Sequence, residues 1–101
     1  MSEQEILDGN KLIAEFMGAK YNSKLDLVNL GANHKLVGIN ELQYHSSWDW
    51  IMPSWSKLSS YLLDNDIDKL NELTNKMIGC IAKNDILNAQ KLVVEGIKFV
   101  Q

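Results

Sequence analysis

Apolar residues recur at helical spacing in four separate stretches, with a shorter-period passage between the first and second. In "QEILDGNKLIAEFMG", Ile6, Ile13, Phe16 and Met17 fall on one face with Leu12 beside them, Gly18 supplies a C-terminal stop, and Asp8, Lys11 and Glu15 form the solvated side. Gly9 is a weak point in that helix, about 1 kcal/mol poorer than alanine. From Tyr21 to Ile39 the period changes: "KLDLVNL" alternates, "GANH" carries turn residues and "KLVGI" is a second short apolar run. A small antiparallel hairpin is expected there, covered by the first helix, because two strands alone are marginal in water.

The second helix is expected to open within "YHSSWDWIMP", Tyr44 to Pro53, and to run to about Leu63. Ser46 and Asp49 have the spacing of a capping box, with Ser47 and Asp49 as other choices of cap, and Asp49 suits the positive end of the helix dipole. Pro53 removes one backbone donor, so the helix is expected to be kinked or irregular there. Trp48, Ile51, Met52, Trp55, Leu58 and Leu62 make the core stripe, from which Trp50, Tyr61, Ser54 and Lys57 turn away. Asp64 or Asp66 caps a third helix with the stripe Ile67, Leu70, Leu73 or Thr74, Met77 and Ile81. "KND" makes the next turn, and Asn84 or Asp85 caps a fourth helix that buries Ile86, Ala89, Val93, Ile97 and Val100. Gly79 and Gly96 each suggest close backbone approach in a helical hairpin. The expected fold is therefore α+β and mostly helical: an N-terminal helix, a small β-hairpin, then three helices, the last two a helical hairpin. At 101 residues, with 46% hydrophobic and 23% charged, the chain makes one domain, 1–101.

Charge narrows the partners. The net charge is −3 and all ten basic residues are lysines, spread along the chain with no arginine. Without the planar guanidinium fork or a basic stripe, direct sequence-specific nucleic-acid binding is not expected. No apolar run is long enough to span a bilayer, and the acidic opening "MSEQEILDGN" is unlike a secretory signal. The expected location is the cytoplasm, which suits a lone cysteine; Cys80 is read as a small helix hydrophobe.

Candidate chemistry is sparse. The chain has no glycine-rich phosphate loop, no G-x-S-x-G and no H-E-x-x-H. Asp64, Asp66 and Asp68 have the spacing of an EF-hand start but lack its glycine and final glutamate, so they read as caps and solvated charge. His34 and His45 lie on expected loops; His45 and Asp49 could orient a general base, but no activated nucleophile accompanies them. No catalytic residue, metal ligand or cofactor is assigned, and the chain is expected not to be an enzyme. What remains is an aromatic set off the core stripe. Tyr44, His45, Asp49 and Trp50 are the candidate partner-binding residues, with Trp50 as anchor.

Three blocks carry a resemblance: "NKLIAEFMG" (Asn10 to Gly18), "YHSSWDWIMP" (Tyr44 to Pro53) and "VVEGIKFV" (Val93 to Val100), together about a quarter of the chain. They resemble a group of small, uncharacterised phage and prophage proteins of bacteroidete hosts, in which N-K-L-I-A-E-F-M is followed by Y-H-S/T-S-W-D-W-L-M-P and a terminal V-V-E-F-I-K-W-Y. The chain departs from that pattern at "PSWSKLSS", where the group continues P-V-V-E-K-I-E, and at Gly96 and Phe99, where large aromatics are common. The resemblance implies a phage setting in a bacterial host cell and stoichiometric action on a host protein or ribonucleoprotein complex, such as inhibition of a bacterial defence system in the manner of an anti-CRISPR protein. Two other readings stand beside it: a sponge for a small nucleotide signal, and a self-associating structural or regulatory protein that uses the same tryptophans to form a homodimer.

Overall fold

In a computed structural model of the protein, the described residues are 2–22, 27–29 and 36–101. Four helices dominate: α1 (Glu3–Phe16), α2 (Trp48–Asn65), α3 (Ile67–Ala82) and α4 (Ile86–Val100). Between α1 and α2 come three short strands, β1 (Lys20–Asn22), β2 (Leu27–Asn29) and β3 (Leu36–Gly38), and a 3-10 turn at Ile39–Glu41. The strands pair antiparallel in the order β1-β2-β3, with Val28 opposite both Tyr21 and Val37. The expected hairpin is β2 and β3; β1 is an addition that the sequence pattern did not announce, and the turn "GANH" lies outside the described residues. His34 lies outside them too.

Helix ends are set by local chemistry. Ser2 caps α1 by accepting from the Glu5 amide. At its other end Gly18 takes φ +93, and the Gly18 and Ala19 amides donate to the Glu15 and Ala14 carbonyls, the paired bonds of a Schellman stop. Lys57 of α2 reaches the same end: its ammonium donates to the Phe16 carbonyl and lies 4.9 Å from the Phe16 ring centre. Asp66 caps α3 through the Lys69 amide, and Asp85 caps α4 through the Asn88 amide. Asn84 ends α3 at φ 53, with the Asn84 and Asp85 amides bonded to the Ile81 and Cys80 carbonyls. Its side-chain oxygen also accepts from Trp48 Nε1 at 2.8 Å, joining the start of α2 to the α3–α4 turn.

The core gathers around α4, which packs against each of the other three helices. Ile13 of α1, Ile51, Leu58 and Leu62 of α2, Leu73 and Met77 of α3, and Val93 and Ile97 of α4 are its centre. At Gly96 the expected approach of backbones is instead one of side chains onto backbone: a Cβ there would lie 2.5 Å from Leu58 Cδ2 and 3.0 Å from Leu73 Cδ1. Gly79 plays no such part, since a Cβ there meets nothing within 4 Å. Gly9 is a packing requirement and not only a weak point, because a Cβ would press into Gln90 Nε2 and reach 3.1 Å from Val94.

Two helices face the core differently from the sequence expectation. In α2 the buried arc is Ile51, Ser54, Leu58 and Leu62, while Met52 is exposed and Trp48 and Trp55 are half-buried. The arc is rotated toward Ser54, which is tolerated because its hydroxyl donates to the Ile51 carbonyl at 2.6 Å. In α3 the buried residues are Leu73, Met77 and Cys80, and Ile67 and Ile81 stand 55% and 50% exposed. That helix is apolar on two sides, and the side chosen is the one between α2 and α4. Burial, then the Asp85 charge, push the Cys80 thiol upward from its usual value, so it remains a thiol. Among the described residues, no helix is long and apolar enough to cross a membrane.

Candidate functional site

The site forms where the chain enters α2. The Ser46 and Ser47 amides both donate to the Gln43 carbonyl, a tight turn that delivers Trp48 as the first helical residue. Ser47 is the N-cap, in extended conformation, and its side chain makes no cap bond. The Ser46–Asp49 box therefore does not form. With Ser47 as cap, the box position falls on Trp50 and the carboxylate of Asp49 stands one residue early. Asp49 is exposed in the first turn, where the helix dipole favours it. The helix runs unbroken through Pro53; the Trp50 and Ile51 amides share the Ser47 carbonyl in a tightened first turn.

Rotation of α2 toward Ser54 also brings Trp50 halfway inward. Its ring meets Tyr44 edge to face, with centroids 5.2 Å apart and planes at 85°. Tyr44 is only 5% exposed, so it is the support and Trp50 the accessible partner of the pair. Trp50 is the wall between two clefts. One, of about 410 Å³, is lined by Met17, Ala19, Tyr44, Asp49, Trp50 and Pro53. The other, of about 350 Å³, is more polar and includes Asn40, Glu41, Gln43, His45 and Ser46. Among the described residues, no lysine lines either cleft.

Behind this face lies a polar network absent from the sequence reading. Asn10 and Gln90 are fully buried. Gln90 Nε2 donates to the Ile6 carbonyl and to Asn10 Oδ1, both at 3.2 Å. Asn10 Nδ2 donates to the Leu42 carbonyl at 3.3 Å and meets His45 Nδ1 at 2.8 Å. The two backbone carbonyls can only accept, which fixes both amide orientations and makes His45 Nδ1 the acceptor of the Asn10 bond. His45 is thus held by Asn10 of α1, and the imagined His45–Asp49 pairing is replaced by this bond. Only a clash of composition, polar Asn10 and Gln90 on otherwise buried helix faces, could have pointed to it.

Of the four candidate residues, Tyr44 supports Trp50 and Asn10 holds His45 from behind, while Asp49 is exposed at the rim. Burial raises the Tyr44 phenol above its usual value near 10. The folded chain therefore keeps that proton where the unfolded chain has released it, so stability is intact below about pH 10 and falls as pH rises beyond it. Urea midpoints at successive alkaline pH values should show a drop that is shallower in Tyr44→Phe; identical slopes would refute this assignment.

Among the described residues, no group of three or more His, Cys, Asp or Glu stands close enough to hold a metal ion. Compared with protein-family models, with curated proteins and with solved structures, the chain matches none.

Proposed function

We propose that the protein acts stoichiometrically, by docking the Trp50 face onto a host protein or ribonucleoprotein complex. The observation that carries this reading is the placement of Trp50: only partly buried, braced by buried Tyr44, and standing between two clefts. An aromatic held rigid before contact loses little entropy on binding, which is the character of an interface anchor. The acidic balance of the chain and the carboxylates of Asp49 and Glu41 suit a basic partner surface, of the kind that otherwise receives phosphate. In the phage setting that the three sequence blocks imply, inhibition of a bacterial defence complex, as by an anti-CRISPR protein, is the concrete form of this reading. The test is retention from bacteroidete lysate on immobilised protein. A large partner held by the wild type and released by Trp50→Ala supports the proposal; identical retention by the two proteins refutes it.

A second reading rests on α3. Ile67, Ile78 and Ile81 stand 55%, 59% and 50% exposed on one face. Ile67 and Ile81 lie seven residues either side of Thr74, so an antiparallel two-fold pairing centred on Thr74 sets Ile67 against Ile81 of a second copy. Sedimentation equilibrium should then show a dimer that Ile78→Lys disrupts and Trp50→Ala leaves intact. A wild type that stays monomeric at high concentration rules this out.

A further inference from the structure

We propose that the group received at the Trp50 face is a guanidinium, an arginine side chain presented by a basic partner. This deepens the reading of Trp50 as the contact residue and rests on it. Edge-to-face contact with Tyr44 covers at most one face of the Trp50 ring, and the ring borders two clefts that give a planar cation room to stack. The cleft beside it is walled by Met17 and Pro53, which suit the aliphatic stem of an arginine, and the Asp49 carboxylate stands at its rim. Glu41 marks the cleft on the other side of Trp50. Both carboxylates are exposed, and among the described residues neither is in an ion pair. Among the described residues no lysine lines either cleft, although the groove between α1 and α4 is lined by Lys91 and Lys98. A carboxylate beside an indole that borders both clefts, with no cation among the described residues lining them, is complementary to an incoming cation. Arginine satisfies both at once, stacking with its plane and donating in its own plane; an ammonium offers no flat face.

The probe is acetyl-arginine amide, titrated into the full chain with the three tryptophan indole N–H resonances as readout. Trp50→Phe assigns the resonance of interest by removing it. A saturable shift confined to the Trp50 indole is expected. It should weaken at least fivefold in Glu41→Gln/Asp49→Asn, exposed positions whose replacement leaves the fold intact by circular dichroism. Acetyl-citrulline amide, the neutral planar counterpart, should give no saturable shift. The proposal is overturned if arginine gives none, if citrulline or acetyl-lysine amide matches arginine, or if the double variant responds like the wild type. A chain that binds the arginine probe but retains no host protein fails the functional reading alone. One that retains a partner through Trp50 yet ignores the probe fails the guanidinium assignment alone.

Discussion

Asn10→Ala should destabilise the protein by about 3 kcal/mol, read as a shift of the urea midpoint, although it deletes a single polar side chain. The reason is what the deletion leaves behind. His45 Nδ1 and the Leu42 carbonyl lose their donor, and Gln90 Nε2 loses one of its two acceptors, all in or beside the core. Buried groups stripped of a partner each cost about 1–3 kcal/mol, far more than the net gain of a hydrogen bond made in full view of water. Because His45 belongs to the segment that leads into α2, the same substitution should loosen the Trp50 face before the rest of the fold. Amide exchange at residues 43 to 48 should rise with it. A loss below about 1 kcal/mol would mean that the network is ornamental.

Gly96→Val is the second large effect, also about 3 kcal/mol, by overpacking. Alanine alone would set its Cβ 2.5 Å from Leu58 Cδ2, and Leu58, fully buried, yields only by displacing its core neighbours. The gain in helix propensity of any residue over glycine, at most about 1 kcal/mol, does not offset that collision. Leu58→Ala on its own should cost about 2–5 kcal/mol through the cavity it leaves. Combined with Gly96→Val it should cost less than the sum, since the valine enters the vacated space. Simple additivity of the two losses would show that Gly96 and Leu58 do not share this packing.

How far the fold was legible follows from the range of each interaction. Helix stops and starts depend on neighbours within one turn, so Gly18 could be read directly and each of the caps Asp66 and Asp85 narrowed to one of two nearby choices, Asp64 or Asp66 and Asn84 or Asp85. The α4 stripe of Ala89, Val93 and Ile97 was equally plain, because that helix is surrounded and its periodicity has one solution. In α3 periodicity allowed two solutions. The isoleucines at 67 and 81 are as regularly spaced as Leu73 and Met77, and only the positions of α2 and α4 decide between them. Strand β1 is three residues with no alternation to speak of, visible only once β2 is beside it. The site was half legible. The off-stripe position of Trp50 marked it, but the network holding its base joins residues 35 and 80 positions apart, beyond any local pattern. The burial of Tyr44 likewise depends on contacts made across the fold.

One measurement bears most directly on whether this protein works through its Trp50 face: calorimetric affinity of the partner retained from lysate, for wild type, Trp50→Ala and Tyr61→Ala. Tyr61 is an exposed aromatic of the same helix and serves as the control. The account predicts a loss of about 100-fold for Trp50→Ala, the scale of an interface anchor, and a change within about twofold for Tyr61→Ala. Equal affinities for all three proteins, or the larger loss at Tyr61, would contradict it.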